Sequence, residues 1–183
     1  MQIESIQRRT FLHAAGALAG AALLPASALA QDFWSAPRTL WLVRADTREE
    51  VRELYWYDGM VNPSGYAAVC HLLRDVRAKQ TVQMDLVLLD ILRGVQGWFE
   101  AYGQLRPIII NSGYRTRHTN EATEGAVKNS FHILGKASDI WIPDVSAEYL
   151  AKLGVYLSGG GVGFYPSKRF IHTDSGRLRF WKG

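Results

Sequence analysis

Two histidines of the sequence are each followed closely by an aspartate, and these four side chains are the first candidates for chemistry. His132 and Asp139 lie in the stretch NSFHILGKASDIW, and His172 and Asp174 lie in FIHTDSG. Imidazole nitrogens and carboxylate oxygens are common zinc ligands, and a catalytic zinc ion typically has three protein ligands and one open position for water. Two histidines and one or two aspartates that converge would therefore form a catalytic metal site.

The spacing alone fits a simpler interpretation equally well, in which these are hydrogen-bonded polar residues at the edge of a sheet. Residues two apart on a strand face the same way, so His172 and Asp174 are expected to project together. Ala137 is small and Gly135 gives its loop conformational freedom, so both leave room for a ligand beside Asp139. Spacing therefore leaves a metal site and satisfied polar pairs both open.

The single cysteine, Cys70, helps to decide whether a metal would be structural or catalytic. Structural zinc sites normally have four ligands and favour thiolates, whereas Cys70 lies in the apolar helical pattern YAAVCHLL and is expected to be a buried thiol. A metal held by histidine and aspartate would therefore serve catalysis. One cysteine also excludes an internal disulfide, so packing must stabilise the fold.

The first 30 residues have the order of an export signal. Paired arginines, Arg8 and Arg9, precede an apolar stretch that ends in the small-residue sequence ALA at 28–30. The apolar stretch is too short for a spanning helix. The pattern R-R-x-F-L favours a twin-arginine signal over an ordinary secretory signal. We predict a signal peptide over 1–30, a mature domain over 31–183 and a periplasmic location.

Length and charge bound the remaining function classes. Removal of the signal leaves 153 residues, which suits one domain with its own core. It lowers the net charge from +4 to +3, because two arginines and one glutamate are lost. The charge is spread along the chain without a basic block or a recognition motif, which argues against nucleic-acid binding. It is compatible with weak attraction to an anionic cell-wall polymer.

Apolar periodicity predicts the elements that would position the four side chains. Strands are predicted over 38–45, around 54–57, over 106–111 and 137–142, and in three short stretches after residue 159. Helices are predicted over 66–78 with Ser64 as N-cap, over 85–102 with Gly103 as a stop, and after Ser146. The segment 112–129 is polar and is predicted as a loop. The result is a single α+β domain with helices packed on a small, mostly antiparallel sheet.

Three motifs resemble one peptidase family. The stretch SFHILGKASD at 130–139 resembles the S-x-H-x-x-G-x-A-x-D motif of the D-alanyl-D-alanine carboxypeptidase-like zinc peptidases. SGYRT at 112–116 resembles the arginine-bearing motif that precedes it in that family. GGVGFYP, FIHTDSG and RFW, within 160–181, resemble the ending of its YcbK-like (murein endopeptidase K) branch. The resemblance covers nearly the whole chain after residue 30, and five matching positions make the first motif fairly specific.

The resemblance implies a hedgehog/DD-peptidase-like fold and a Zn2+ ion held by His132, Asp139 and His172. It implies hydrolysis of D-amino-acid-containing peptide cross-links of peptidoglycan in cell-wall turnover or biogenesis. Arg115 would contact a substrate carboxylate or stabilise the tetrahedral oxyanion. The residues expected to contact substrate are Arg115, Ser130 and Tyr114.

One departure from the family leaves the general base open. Many relatives end in E-x-x-W-H or H-x-H, whereas this chain has H-x-D. Asp174 is expected either to act as the catalytic base, which is the role we favour, or to orient His172 from behind. Reserve candidates in the polar loop are His118, Glu121 and Glu124.

Two other functions stay open at this point. The chain would be a noncatalytic, zinc-stabilised peptidoglycan-binding module if Asp174 points away from the metal and no other carboxylate lies near. It would be a D-alanyl-D-alanine carboxypeptidase if the site is a closed pocket that ends at Arg115, whereas an open groove favours cleavage of a cross-link. The expected partner is peptidoglycan in each case, with no nucleic acid, no membrane insertion after signal cleavage and a monomer as the default.

Overall fold

The computed structural model describes residues 33–183, and one sheet forms the frame of this part of the molecule. The predicted signal peptide, its cleavage after Ala30 and the twin-arginine route fall outside the described residues and stay predictions. Within 33–183, no helix has both the length and the apolar character needed to cross a membrane.

From Arg38 onward, three strands come first, helices and single strands follow, and three strands come last. The strands are β1 (Arg38–Arg44), β2 (Glu50–Tyr57), β3 (Met60–Val61), β4 (Ile108–Ser112), β5 (Ala137–Trp141), β6 (Gly161–Tyr165), β7 (Phe170–Asp174) and β8 (Arg179–Lys182). The helices that bear on the sheet and the site are α1 (Pro63–Leu72), α2 (Leu86–Glu100), α3 (Arg117–Glu121) and α4 (Ala147–Leu157), with a 3-10 helix at Phe131–Leu134.

The eight strands of the described part form one sheet in the order β3-β2-β1-β4-β5-β7-β6-β8. The pairs β1–β4 and β6–β8 are parallel, and the other neighbours are antiparallel. The prediction of an α+β domain with a mostly antiparallel sheet is therefore confirmed. The register between β5 and β7 pairs Asp139 directly with His172, so the sheet itself sets two of the candidate ligands side by side.

The main helices pack on one face of the sheet, and the site lies on the other. Ile140 of β5 and Ile171 of β7 are fully buried in the core, and a side chain added at Gly154 of α4 would touch Ile171. Side chains alternate along a strand, so Asp139 and His172 project to the face opposite these helices. Asp139 and Ile140 therefore lie on opposite faces of β5.

The predicted bounds of the first helix, 66–78, are wrong at both ends. α1 begins at Pro63, where a missing N–H costs no helical bond, and it ends at Leu72. The Asp75 carboxylate accepts a hydrogen bond from the Ala78 N–H, and two backbone bonds join Asp75 to Gln80. This turn replaces the last part of the predicted helix.

The other predicted helices are confirmed with small shifts. The Asp85 side chain caps α2 by accepting from the Val87 N–H at 2.8 Å, and the chain leaves that helix through Gly103 at a φ of 70°. Ser146 caps α4 by accepting from the Tyr149 N–H. Helix α3 lies in the segment that was predicted as a loop, because its five residues are too few to show a period.

Candidate metal centre

Three elements bring the candidate ligands together. His132 lies on the 3-10 helix, Asp139 on β5 and His172 on β7. Ser130 caps the 3-10 helix by accepting from the His132 N–H at 3.3 Å. Gly135 ends that helix in the left-handed region, at a φ of 66°, and returns the chain to β5.

One nitrogen of each histidine and one oxygen of Asp139 face a common point. Nε2 of His132 lies 3.1 Å from Nδ1 of His172 and 3.3 Å from Oδ1 of Asp139. The distance from Nδ1 of His172 to the same oxygen is 3.1 Å. Tetrahedral zinc with bonds of about 2.0–2.1 Å places its ligand atoms roughly 3.3 Å apart. These three residues can therefore hold a metal ion between them.

The far nitrogen of each histidine has a hydrogen-bond partner that fixes the ring. Nδ1 of His132 donates to the Gly113 carbonyl oxygen at 2.6 Å, which leaves the lone pair on Nε2. Nε2 of His172 donates to Oδ2 of Asp174 at 2.9 Å, which leaves the lone pair on Nδ1. Metal-binding histidines typically donate their other N–H to a carbonyl or carboxylate in this way. The donor set fits a metal in chemistry as well as in distance.

Asp174 lies behind His172 and does not face the common point. Its side chain is fully buried, and Oδ2 also accepts from Nη2 of Arg179 at 2.6 Å. Oδ1 accepts from Nη1 of Arg179 at 3.0 Å and from the Gly176 N–H at 2.8 Å. Of the two roles that the sequence leaves open for Asp174, these contacts support the one in which it orients His172.

Arg115 lies beside the ligand set. Nη2 of Arg115 donates to Oδ2 of Asp139, the oxygen that faces away from the histidines, and Nε donates to Oγ of Ser112 at 2.7 Å. Its backbone N–H also donates to the His132 carbonyl oxygen at 3.2 Å. Arg115 thus fixes the orientation of Asp139 and places a positive charge next to the ligands.

The surroundings set the protonation states of the candidate ligands. Burial would lower the pKa of His172, but the Asp139 and Asp174 carboxylates raise it, so a metal must displace a proton from this ring. Burial alone would raise the pKa of Asp139, but His132 and His172 outweigh it and hold that pKa well below its usual range. Burial lowers the pKa of His132. Asp139 is therefore a carboxylate and His132 a neutral imidazole at neutral pH, and these are the forms in which both residues bind metals.

The loop that carries Arg115 is clamped to the end of α1. A Cβ at Gly113 would lie 2.3 Å from the Leu73 carbonyl oxygen, and that oxygen accepts from the Tyr114 N–H at 2.7 Å. The buried Asp75 carboxylate accepts from the N–H and the hydroxyl of Thr116, at 2.8 and 3.0 Å. Sequence reasoning missed Asp75 because it lay inside a predicted helix.

The ligands lie on the wall of a cleft of about 560 Å3. Of the residues predicted to touch substrate, Arg115, Ser130 and Tyr114 all line this cleft. Of the reserve candidates for the base, Glu124 lines it, whereas His118 and Glu121 do not. The phenylalanine, tyrosine and tryptophan side chains that line the cleft are those of Tyr114, Phe131, Tyr165, Phe170 and Trp181.

Comparison with known proteins finds one family over the same region. Residues 33–181 match the family model described as peptidoglycan L,D-endopeptidase MepK. The chain is 34% identical over 183 residues to the peptidoglycan L,D-endopeptidase MepK of Escherichia coli strain K12, which covers 95% of this chain and 96% of the relative. It is 32% identical over 180 residues to the probable peptidoglycan L,D-endopeptidase MepK of Haemophilus influenzae, which covers 96% of both chains.

Proposed function

Because the chain belongs to the peptidoglycan L,D-endopeptidase MepK family, we propose that it is a zinc-dependent endopeptidase that hydrolyses peptide cross-links of peptidoglycan. The observation that carries this proposal is the convergence of His132, Asp139 and His172, whose facing atoms lie 3.1–3.3 Å apart on the wall of a cleft. The full-length match to the family, together with this ligand set, supports an enzyme over a structural metal module.

Zinc is the metal that best suits this donor set. Two imidazole nitrogens and one carboxylate oxygen form a three-ligand catalytic site, whereas calcium and magnesium take oxygen ligands. When bound, zinc would lower the pKa of a water molecule from about 16 towards roughly 7 and polarise the carbonyl of the scissile bond.

A carboxylate must accept the proton of the attacking water, and Glu124 is our candidate. The carboxylates that line the cleft are Asp46, Asp75, Glu124 and Asp139. Asp46 pairs with Arg44, Asp75 holds the backbone at Thr116, and Asp139 belongs to the ligand set. In the described part of the chain, Glu124 alone among these four has no hydrogen bond or ion pair. Its exposed carboxylate would accept the proton and return it to the leaving amine.

Arg115 would stabilise the negative charge that develops on the carbonyl oxygen of the scissile bond. Its guanidinium already lies beside Asp139 and is held there by Ser112, so it needs no reorganisation during the reaction. Tyr114 and Ser130 line the same cleft and would contact the peptide on either side of that carbonyl.

The substrate we propose is a cross-link in which an L-centre is joined to a D-centre, as the name of the related enzymes states. Stem peptides carry free carboxylates, and Arg77 and Lys168 line the cleft without an ion pair in the described residues. Arg115 lies at the ligand set and not at the end of a closed pocket, which supports cleavage within a peptide over removal of a terminal residue. Such a substrate requires export, so we retain the signal at 1–30 and a periplasmic location as part of this proposal.

Because of the position of Asp174, the experiment must also distinguish the noncatalytic peptidoglycan-binding module from an enzyme. Asp174 lies behind His172, which was the arrangement expected of a noncatalytic module, whereas Glu124 supplies a second carboxylate in the cleft. Catalysis in this account therefore depends on Glu124 and Arg115 and not on Asp174 as a base.

The bond that is cut can be identified by digesting purified peptidoglycan with the protein and reading the products by mass. We expect dimers joined through an L,D bond to disappear while dimers joined through a D,D bond persist, and we expect a chelator to stop the reaction. Release of free D-alanine without loss of dimers would identify a carboxypeptidase. Binding to peptidoglycan without any cleavage in zinc-replete buffer would support the binding module.

A further inference from the structure

Strand β8 is separated from the ligand strand β7 by β6, yet two of its side chains reach across. In the sheet register, Gly161 of β6 lies between Asp174 of β7 and Arg179 of β8. The next row has the same form, with Gly163 between His172 and Trp181. Each row therefore places a glycine where a side chain would otherwise separate the two outer residues.

The two glycines provide space and not an unusual backbone. Neither has a positive φ, so backbone conformation does not require glycine at these positions. A Cβ at Gly161 would lie 2.3 Å from Nη1 of Arg179 and 2.7 Å from Oδ2 of Asp174. A Cβ at Gly163 would lie 2.5 Å from the Trp181 ring. The side chains of β8 thus lie directly over the backbone of β6.

Arg179 is held in place on several sides. Both of its terminal nitrogens donate to Asp174, at 2.6 and 3.0 Å, which is the two-point geometry that a guanidinium makes with a carboxylate. Its guanidinium also lies 5.1 Å from the centre of the Phe131 ring and 4.9 Å from that of Trp181. The arrangement leaves Asp174 few ways to turn away from His172.

We propose that Arg179 is a positioning residue for the metal centre, which acts through Asp174 on the ring of His172. The proposal rests on the proposed metal at His132, Asp139 and His172. Without Arg179, the buried Asp174 carboxylate loses two of its hydrogen bonds. It is then free to rotate, and its hydrogen bond with Nε2 of His172 weakens. Carboxylates behind ligating histidines typically change metal affinity by about 10–100-fold when they are disturbed.

The test compares zinc affinity in R179A, R179K and R177A, measured by competition with a chromophoric chelator. We expect R179A to bind zinc roughly 10–100-fold more weakly than the wild type. R179K should fall between them, because lysine keeps the positive charge but cannot donate two parallel hydrogen bonds to the carboxylate. Arg177 is the matched control, because it is an exposed arginine of the same turn whose side chain makes no hydrogen bond or ion pair within residues 33–183. Its variant is expected to stay within about twofold of the wild type.

A second variant keeps the test independent of the removed charge. In G161A the new methyl group would press on both Arg179 and Asp174 and disturb the contact between them while all charges remain, and we expect zinc affinity to fall in the same direction. If R179A does not fold, as judged by circular dichroism of the metal-free protein, R179K and G161A decide the question. Wild-type zinc affinity in folded R179A, or in both R179K and G161A, would overturn the proposal.

A readout without metal separates this proposal from the proposed function. A wild-type protein that binds no zinc would overturn the metal centre itself. The 15N NMR signals of the His172 ring in the metal-free protein would then still report its orientation. The spectra are recorded at a pH high enough to keep the His172 ring neutral, because Asp139 and Asp174 raise its pKa. We expect a single Nε2–H tautomer in the wild type and a mixture of tautomers in R179A, whereas the same single tautomer in both proteins would overturn the positioning role.

Discussion

At the residue scale, the site depends on which nitrogen of each histidine is left free. The Gly113 carbonyl accepts a hydrogen bond from Nδ1 of His132, and the Asp174 carboxylate accepts one from Nε2 of His172. The other nitrogen of each ring therefore faces Asp139. Asp139 is fixed in turn by Arg115. Each of the three candidate ligands is thus oriented by a residue that is not itself a candidate ligand.

Replacing Arg115 by methionine is expected to lower kcat by about 100-fold at saturating zinc. Loss of one preorganised donor to a developing oxyanion typically costs 100-fold to 1000-fold in kcat. The measurement is steady-state cleavage of a purified cross-linked dimer over a range of zinc concentrations. If added zinc restores the full rate of R115M, Arg115 acts only on Asp139 and not on the substrate.

Replacing Glu124 by glutamine is expected to lower kcat by roughly 100-fold or more, because general acid–base catalysis contributes about 100-fold to 10,000-fold. E121Q is the matched control, since Glu121 lies in the same segment and does not line the cleft. Rates of dimer cleavage should separate the two variants, with E121Q near the wild type. An E124Q protein with wild-type kcat would exclude Glu124 as the general base.

The sequence made the ligands predictable but not the role of Asp174. Spacing left a metal site and hydrogen-bonded polar pairs both open, and the resemblance of the motif at 130–139 to the zinc peptidases selected His132, Asp139 and His172 as candidate ligands. Alternation on a strand places Asp174 on the same face as His172. It does not say whether the carboxylate lies on the metal side of the imidazole or behind it, because side-chain torsions and the contact with Arg179 decide that.

At the element scale, the site is built from one rigid frame and one clamped loop. The register of β5 with β7 fixes Asp139 against His172. The loop after β4 supplies Gly113 and Arg115 and is held to the end of α1 by Asp75. The contacts that stabilise this loop are therefore separate from the strand pairing that forms the sheet.

Replacing Asp75 by asparagine is expected to destabilise the protein by about 1–3 kcal/mol at pH 7, because hydrogen bonds to a buried charged group are lost or weakened. Burial would raise the pKa of Asp75, but hydrogen bonds from Thr119, Thr116 and Ala78 hold it below its ordinary value of 3.8. A lowered pKa in the folded state means that this stabilisation is present above pH 3.8 and is lost as pH falls through the folded-state pKa.

Urea unfolding of the wild type and D75N at several pH values measures this directly. The difference in unfolding free energy should be largest near neutral pH and should shrink as the pH is lowered below 3.8. A difference that does not change with pH would mean that the Asp75 charge is not what clamps the loop.

The elements could be predicted where local signals were strong. The apolar periodicity over 85–102, the cap at Ser146 and the alternation in β5 predicted α2, α4 and the ligand strand. Sheet order and register could not be predicted, because they depend on pairing between residues far apart in the chain. For the same reason, nothing local in RLRFW indicated that Arg179 reaches over β6 to Asp174.

At the scale of the whole molecule, a metal that binds the folded chain and not the unfolded chain adds to its stability. At a free zinc concentration a hundred times the dissociation constant, the gain is about 2.7 kcal/mol. For a domain of this size that corresponds to a rise in Tm of roughly 5–10 °C. Thermal unfolding with and without zinc should show this rise in the wild type. H132A and D139A should not show it, and an equal rise in those variants would place the zinc elsewhere.

The central claim is that one metal at His132, Asp139 and His172 is required to cut a peptidoglycan cross-link. The most direct measurement determines bound zinc and the rate of cleavage of an L,D-linked dimer on the same samples of wild type and H172A. We predict that the wild type binds one zinc per chain and cleaves the dimer, and that H172A loses both the bound zinc and the cleavage. An H172A protein that cuts the dimer at the wild-type rate, or a zinc-loaded wild type that cuts nothing, would contradict it.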